Sequence, residues 1–374
     1  MNVNSLPVPE SEFRERLKKL QSKLIENGDQ GVIVFYEYLE REGNVSYLTN
    51  HRSSFPNVMS HRGIGYGAFV VKTEGEGILV APFGYEEDKV INVFDGITEP
   101  DLVKGLVKAV NELKLYSKKI GFAGLDIIPY EYFENLRKKL GVEKFNVYDR
   151  FLEKMRSIKS ENEIKILTEA AEVADFALKA AMEEAEEGKS EKDVEIAARR
   201  AAYEKGADFV SRVRVSSGRK IVGLRWPMAT QRKLSKGDIV YVDFIGFYKG
   251  YGFDVQRVKV IGEPDQEQKE FLNTALELQS WLISRLSPGK EIKLVRMSGR
   301  GFRYSPFLHG IGLEICEEPS CVIEGMTVKP EKGMVLCVEP TVASEKFGEI
   351  GLEDMILITE KGPIKLNKLN SVFW

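Results

Sequence analysis

The stretch "KGDIVYVDFIGFYKGYGFDVQRVKVIGEP", residues 236–264, decides the fold. Apolar and β-branched residues run up to a "YKGY" turn and away from it again, which reads as a hairpin of two long strands. Each strand carries an acid among its apolar residues: Asp243 follows "DIVYV", and Asp254 closes "GYGFD". Their odd separation around a short turn predicts two carboxylates standing roughly opposite one another. Two ionised carboxylates held together in a half-buried sheet repel, and a cation between them removes the conflict. The competing reading makes Asp254 a turn-edge acid and Asp243 a protonated or hydrogen-bonded core acid.

The anomaly recurs downstream. Glu339 ends the apolar run "GMVLCVEP", and Glu353 with Asp354 opens "GLEDMILIT". His309, one of only 3 histidines, stands in "FLHGIGLEICEEP" (residues 307–319), with Gly310 and Gly312 after it. Three acid-bearing strands and one imidazole point to a carboxylate-rich site with a single nitrogen donor. Such a donor set suits Mn, Co, Fe or Zn, and four carboxylates suffice for two divalent ions. Two ions would bring a bridging water's pKa near neutrality and polarise a carbonyl.

The rest of the chain frames this site. With 374 residues, two or three domains are expected. A formal charge of −3 gives no basic excess, so nucleic acid is not the expected partner. No run of 18 apolar residues and no secretory signal are visible, so the expected location is cytoplasmic, without a membrane partner. Cys316, Cys321 and Cys337 fit a reducing compartment, the first two as small core residues. The bias towards Lys, Arg and Glu resembles thermophile composition.

Residues 1–151 alternate helix-like and strand-like segments, predicting an α/β domain with a small mixed sheet covered by helices. In it "SEFRERLKKLQSKLIENG" is a helix with Ser11 as N-cap and Gly28 at its end. "GAFVVKTEGEGILVAP" is a hairpin. Residues 152–374 begin with two helices announced by capping boxes at Ser160/Glu163 and Ser190/Asp193, then turn strand-rich. That predicts an α+β domain, an antiparallel sheet with helices on one face.

The order Asp-(ten residues)-Asp, His-Gly-Ile-Gly-Leu, Val-Glu-Pro, Leu-Glu-Asp resembles the pita-bread metallopeptidases, in particular their prolidase, aminopeptidase P and creatinase branch. "MRSIKSENEIKILTEAAEVAD" resembles the entry helix of the prolidase branch, and "NVSYLTN" a strand of its N-terminal domain. The resemblance covers almost the whole chain. It implies a creatinase/prolidase-like N-terminal domain, a pita-bread catalytic domain and a homodimer. It implies Asp243, Asp254, His309, Glu339 and Glu353 as ligands of two divalent ions, with Glu339 also the general base. The implied reaction is hydrolysis of an amide bond in a small peptide or related amide by metal-activated hydroxide. Chemistry on a small non-peptide metabolite, or a catalytically weak paralogue with a binding or regulatory role, are the alternatives.

Five positions depart from the family pattern, four of them pocket donors. Trp226, Ser305 and Cys316 stand where the family usually has histidines, Leu308 replaces a glycine, and Gly351 stands where an arginine is usual. These family residues normally bind substrate or stabilise the tetrahedral intermediate. Arg212, Arg214, Arg219 and Arg225 precede the hairpin. Arg225, next to Trp226, is the one expected to bind a substrate carboxylate. His51 and His61 lie on an N-terminal-domain segment that in this family often faces the active site, the alternative being exposed loop histidines.

Overall fold

The computed structural model describes residues 6–37, 41–53, 65–115, 119–221, 228–299 and 301–374. The chain forms two compact units, Met1–Arg156 and Ser157–Trp374.

The first unit opens with the helix Glu10–Asn27, whose Phe13, Leu17, Leu20 and Leu24 form one buried stripe at helical spacing. Gly28 ends it at φ 73°, its N–H reaching the carbonyls of Leu24 and Ile25. The N-cap expected at Ser11 is corrected. The helix starts one residue earlier, and its N-cap position is Pro9, which gives no side-chain cap. Five strands form one mixed sheet in the order Val93–Ile97, Gly77–Val80, Tyr66–Lys72, Gly31–Glu37, Ile120–Ala123. The central pairs are antiparallel and the two outer pairs parallel. The helices Leu102–Glu112 and Tyr130–Leu140 bury Leu106 and Leu136 with Ile33, Val80 and Phe122 of the sheet. The α/β expectation is met.

"NVSYLTN" is not a strand. Gly43–Thr49 is a short helix, with Ser46 N–H on the Glu42 carbonyl and Asn50 N–H on that of Ser46. Every residue of it is buried. Its mixture of apolar and hydroxyl residues carries no period that separates helix from strand over so short a length.

The second unit starts with helices Glu161–Glu184 and Glu191–Glu204, and both capping boxes form as expected. The first helix presents Ala170, Ala171, Ala174, Ala177 and Ala181 on its buried side. Small side chains there let it lie close on the hairpin Ile239–Tyr248/Tyr251–Val260, while the second helix lies on Phe209–Gly218. These three strands and the short Val372–Phe373 make one sheet. A second sheet runs Glu317–Ile323, Phe307–Gly310, Val335–Val338, Asp354–Thr359, Gly362–Lys365, all antiparallel. A bridge between Gln256 and Glu353 joins the two sheets where the acids cluster.

The hairpin register corrects one expectation. The turn is Lys249–Gly250, both at positive φ (48° and 78°), so Tyr248 pairs with Tyr251. Asp243 therefore faces Gln256, and Asp254 faces Ile245. The two carboxylates share a sheet face as diagonal neighbours rather than as an opposed pair.

Candidate metal centre

Each of the five residues is set by a strand or strand end. Asp243 and Asp254 come from the hairpin, and His309 from Phe307–Gly310, where it pairs with Cys337. Glu339 follows Val335–Val338, its backbone N–H bonded to the Phe307 carbonyl at 3.0 Å. Glu353 precedes Asp354–Thr359, its carbonyl held by Arg257 Nη1 at 2.8 Å. None of the five is more than 8% exposed.

They converge. His309 Nε2 lies 3.5 Å from Glu353 Oε1 and 3.9 Å from Asp254 Oδ2. Ligand atoms of Asp243, Asp254 and Glu353 fall within 4.8 Å of one another, and so do those of His309, Cys337 and Glu353. Glu353 belongs to both groups. Glu339 accepts from Gln256 Nε2 at 2.5 Å. Its charge acts on the other carboxylates of the cluster.

Burial raises the pKa of all four acids. Desolvation dominates at each; Asp254 is pushed well up, further by the charges of Glu353 and Asp243, and Glu353 likewise by Glu339 and Asp243. Glu339 is pushed up to about 7 by desolvation and by Asp243. Asp243 is raised too, although Arg214 and Arg212 oppose the burial. Asp243 Oδ1, Asp254 Oδ1 and both oxygens of Glu353 are buried without a hydrogen-bond partner. Unpartnered buried carboxylate oxygens around one imidazole are the donor set a hard or borderline divalent cation requires. The residues present fit such ions.

Asp354, adjacent to Glu353, does something else. It accepts from Arg257 Nη2 at 2.9 Å and Gln279 Nε2 at 3.1 Å, and forms an ion pair with Lys365 Nζ at 2.8 Å. That network fixes the strand and directs Glu353 into the cluster.

The glycines after His309 allow close backbone approach, but to the Glu317–Glu318 segment. A Cβ at Gly310 would lie 2.5 Å from the Glu318 carbonyl oxygen, and one at Gly312 2.5 Å from Glu317 Oε2. Glu317 itself is paired with buried Lys159 at 3.0 Å.

Arg225, Trp226 and His61 lie outside the described residues. Ser305 is half-buried in Phe302–Ser305, paired with Thr341. Cys316 is exposed with its Sγ 3.3 Å from that of exposed Cys321, which corrects the reading of both as core residues. His51 is no exposed loop histidine. It is buried in the first unit, its Nε2 3.1 Å from the Tyr36 hydroxyl, and desolvation lowers its pKa to about 4.

Four residues at the cluster escaped sequence reasoning as site members. Arg214 pairs with Asp243 in register, its Nη1 3.1 Å from Oδ2. Cys337 is fully buried among them, burial pushing its thiol well up. The Tyr241 hydroxyl is buried and without a partner, its pKa raised by desolvation and by Asp243, Glu339 and Glu353. Gln256 bonds Glu339 and fills the space beside Gly351, where an added Cβ would lie 2.2 Å from Gln256 Oε1. No compositional signal marks a glutamine or a cysteine inside an apolar strand. Arg214, alternating with Val213 and Val215, carried a signal in its strand position.

The Gln256–Gly351 contact gives an expected result. Gly351→Arg alone destabilises the fold, because the new side chain collides with Gln256. Combined with Gln256→Ala it should recover, with a coupling of about 1–3 kcal/mol in a double-mutant cycle read by denaturant unfolding. Additive effects would show that the two positions do not share this space.

The acids also predict a pH dependence for chelated protein. Folded Glu339 keeps its proton up to about 7, above its ordinary 4.5, so its contribution is fully present below that ordinary value and is lost as pH rises through 7. Stability of chelated wild type relative to chelated Glu339→Gln should therefore fall between about pH 4.5 and about pH 8. A difference that grows with pH contradicts the assignment.

The fold and donor set define a class: a two-unit protein whose second unit carries a buried carboxylate–histidine cluster suited to divalent cations. Residues 165–360 match the model of metallopeptidase family M24, and residues 16–158 that of the creatinase/prolidase N-terminal domain. The chain belongs to metallopeptidase family M24. It is 34% identical over 250 residues to an Xaa-Pro dipeptidase of Pyrococcus horikoshii, covering 64% of this chain and 71% of the relative. It is 28% identical to an Xaa-Pro dipeptidase of Pyrococcus furiosus over 95% of this chain and 98% of that one. The crystal structure of the prolidase from Pyrococcus horikoshii OT3 superposes with a TM-score of 0.76 at 26% identity, over 95% of this chain and 99% of that chain. The expected architecture, a creatinase-like α/β domain followed by a pita-bread domain, is thereby met. No helix among the described residues is long and apolar enough to cross a membrane.

Proposed function

We propose that this chain is a dinuclear metal-dependent peptidase acting on small peptides, related to Xaa-Pro dipeptidases but with an altered substrate pocket. The observation that carries the reading is the set of unpartnered, buried carboxylate oxygens of Asp243, Asp254 and Glu353 around His309. Asp243, Asp254, His309, Glu339 and Glu353 would hold two divalent ions of the Mn, Co, Fe or Zn group. When bound, such ions supply a water acidified towards neutrality and Lewis-acid polarisation of the amide carbonyl.

The chain's own residues do the rest. Glu339, raised to about 7 by burial and by Asp243, is suited to take a proton from the attacking water and return it to the leaving amine. Gln256 Nε2 holds one oxygen of Glu339, fixing the carboxylate plane. Arg214 aligns Asp243 through their ion pair. The buried Tyr241 hydroxyl offers an unused donor beside the acids. Among the described residues, Arg214 is a cation at hand for a substrate carboxylate.

The altered pocket rests on the sequence departures at Trp226, Ser305, Cys316 and Gly351, and at Gly351 on the space being filled by Gln256. The test is hydrolysis of a dipeptide panel by Mn-loaded protein. Cleavage of at least one dipeptide, abolished by chelation and by Glu339→Gln, is the expected result. No cleavage of any member would overturn the peptidase reading.

A further inference from the structure

The strand pair that carries His309 is irregular. Leu308 pairs with Val322 and Gly310 with Glu317, so residues 318–321 stand as a bulge against His309 alone. Cys316 lies just outside one end of this bulge, and Cys321 closes the other at φ 47°, a left-handed conformation uncommon for cysteine. Both are exposed, and their sulfurs are 3.3 Å apart. The third cysteine, Cys337, is buried elsewhere in the sheet.

We propose that Cys316 and Cys321 are a redox-active dithiol that takes a small-molecule disulfide as oxidant and clamps the bulge opposite His309. Two observations carry this independently of the peptidase reading: the sulfur–sulfur contact, and the way the register brings two cysteines to the two ends of one bulge. A disulfide needs the sulfurs at about 2 Å, so the closure required is roughly an ångström, within reach of a side-chain rotation.

The exchange balances. The Cys321 sulfur, as thiolate, attacks one sulfur of the small disulfide and expels one small thiolate, leaving a mixed disulfide on Cys321. Cys316, its sulfur 3.3 Å from that of Cys321, makes the second attack from contact distance. It gives up its proton, forms the Cys316–Cys321 bond and expels the second small thiol. The protein loses two electrons and two protons, and one disulfide becomes two thiols.

Full-length protein incubated with oxidised or reduced glutathione, acid-quenched and alkylated, gives the test. Glutamyl endopeptidase cuts after Glu317, so the two cysteines end on separate peptides held together only by a disulfide. With oxidised glutathione, the peptides of Cys316 and Cys321 should travel linked, and both thiols should lose alkylation together. Cys316→Ser should instead retain glutathione on Cys321. Independent alkylation of both cysteines, a persistent glutathione adduct on the wild type, or linkage only between copies of the chain would each overturn the proposal. The wild-type mapping stands even where the variant fails to fold.

Discussion

Glu353→Gln should lose metal and activity together, with hydrolysis reduced on the order of a thousandfold, as removal of several kcal/mol of transition-state stabilisation requires. Glu353 is fully buried, neither of its oxygens has a hydrogen-bond partner, and it belongs to both candidate ligand groups. Its carbonyl and its neighbour Asp354 are held by Arg257, so the substitution alters the donor without releasing the strand. The amide keeps the shape but gives up the charge and one acceptor. The same variant should be more stable than wild type once both are chelated at neutral pH, because an acid whose pKa the fold raises costs stability above its ordinary pKa. Elemental analysis, dipeptide hydrolysis and thermal unfolding with and without chelator check the three statements. Unchanged metal content would remove Glu353 from the site.

The second large effect concerns substrate. Turnover of a simple Xaa-Pro dipeptide should fall below about 0.1 per second, at least a hundredfold under an ordinary enzyme. Loss of one transition-state donor costs about a hundredfold, and this chain has Ser305, Cys316 and Gly351 at three positions where the resemblance implies donors. At Gly351 the space is taken by a neutral amide, since Gln256 Oε1 lies where a side chain would begin. Cys316 offers a weak donor whose partner is another thiol. Steady-state kinetics on Mn-loaded protein decide it. A turnover of about 10 per second or more would mean that other groups, Arg214 and Tyr241 first, replace the missing donors fully.

Much of the site was legible in the sequence because an acid within an apolar strand is costly enough to need a reason. Asp243, Asp254, Glu339 and Glu353 each interrupt such a run, and the structure gathers them with His309. Their exact pairing was not legible. The turn could be centred one residue either way, and the positive φ of Lys249 and Gly250 moved the register so that Gln256, not Asp254, faces Asp243. Gln256 itself carried no signal, because a neutral amide in a strand has no evident cost until its partner is known.

The same limit explains the cysteines. Five residues apart in sequence, Cys316 and Cys321 meet only because the bulge opposite His309 folds the chain between them. Among the arginines, proximity to Trp226 favoured Arg225. Arg225 lies outside the described residues, while strand register brings Arg214 across from Asp243. The strand expected at the short helix Gly43–Thr49 came from the resemblance alone, and seven residues give neither period room to correct it.

The central claim is that five buried side chains hold two divalent ions at one cluster. Chelated full-length protein, reloaded with Mn, dialysed and measured by elemental analysis beside Asp243→Asn, tests it most directly. Two ions per chain are expected in the wild type and fewer in the variant. A wild-type stoichiometry well below one per chain, or an Asp243→Asn protein that loads as fully as the wild type, would contradict it.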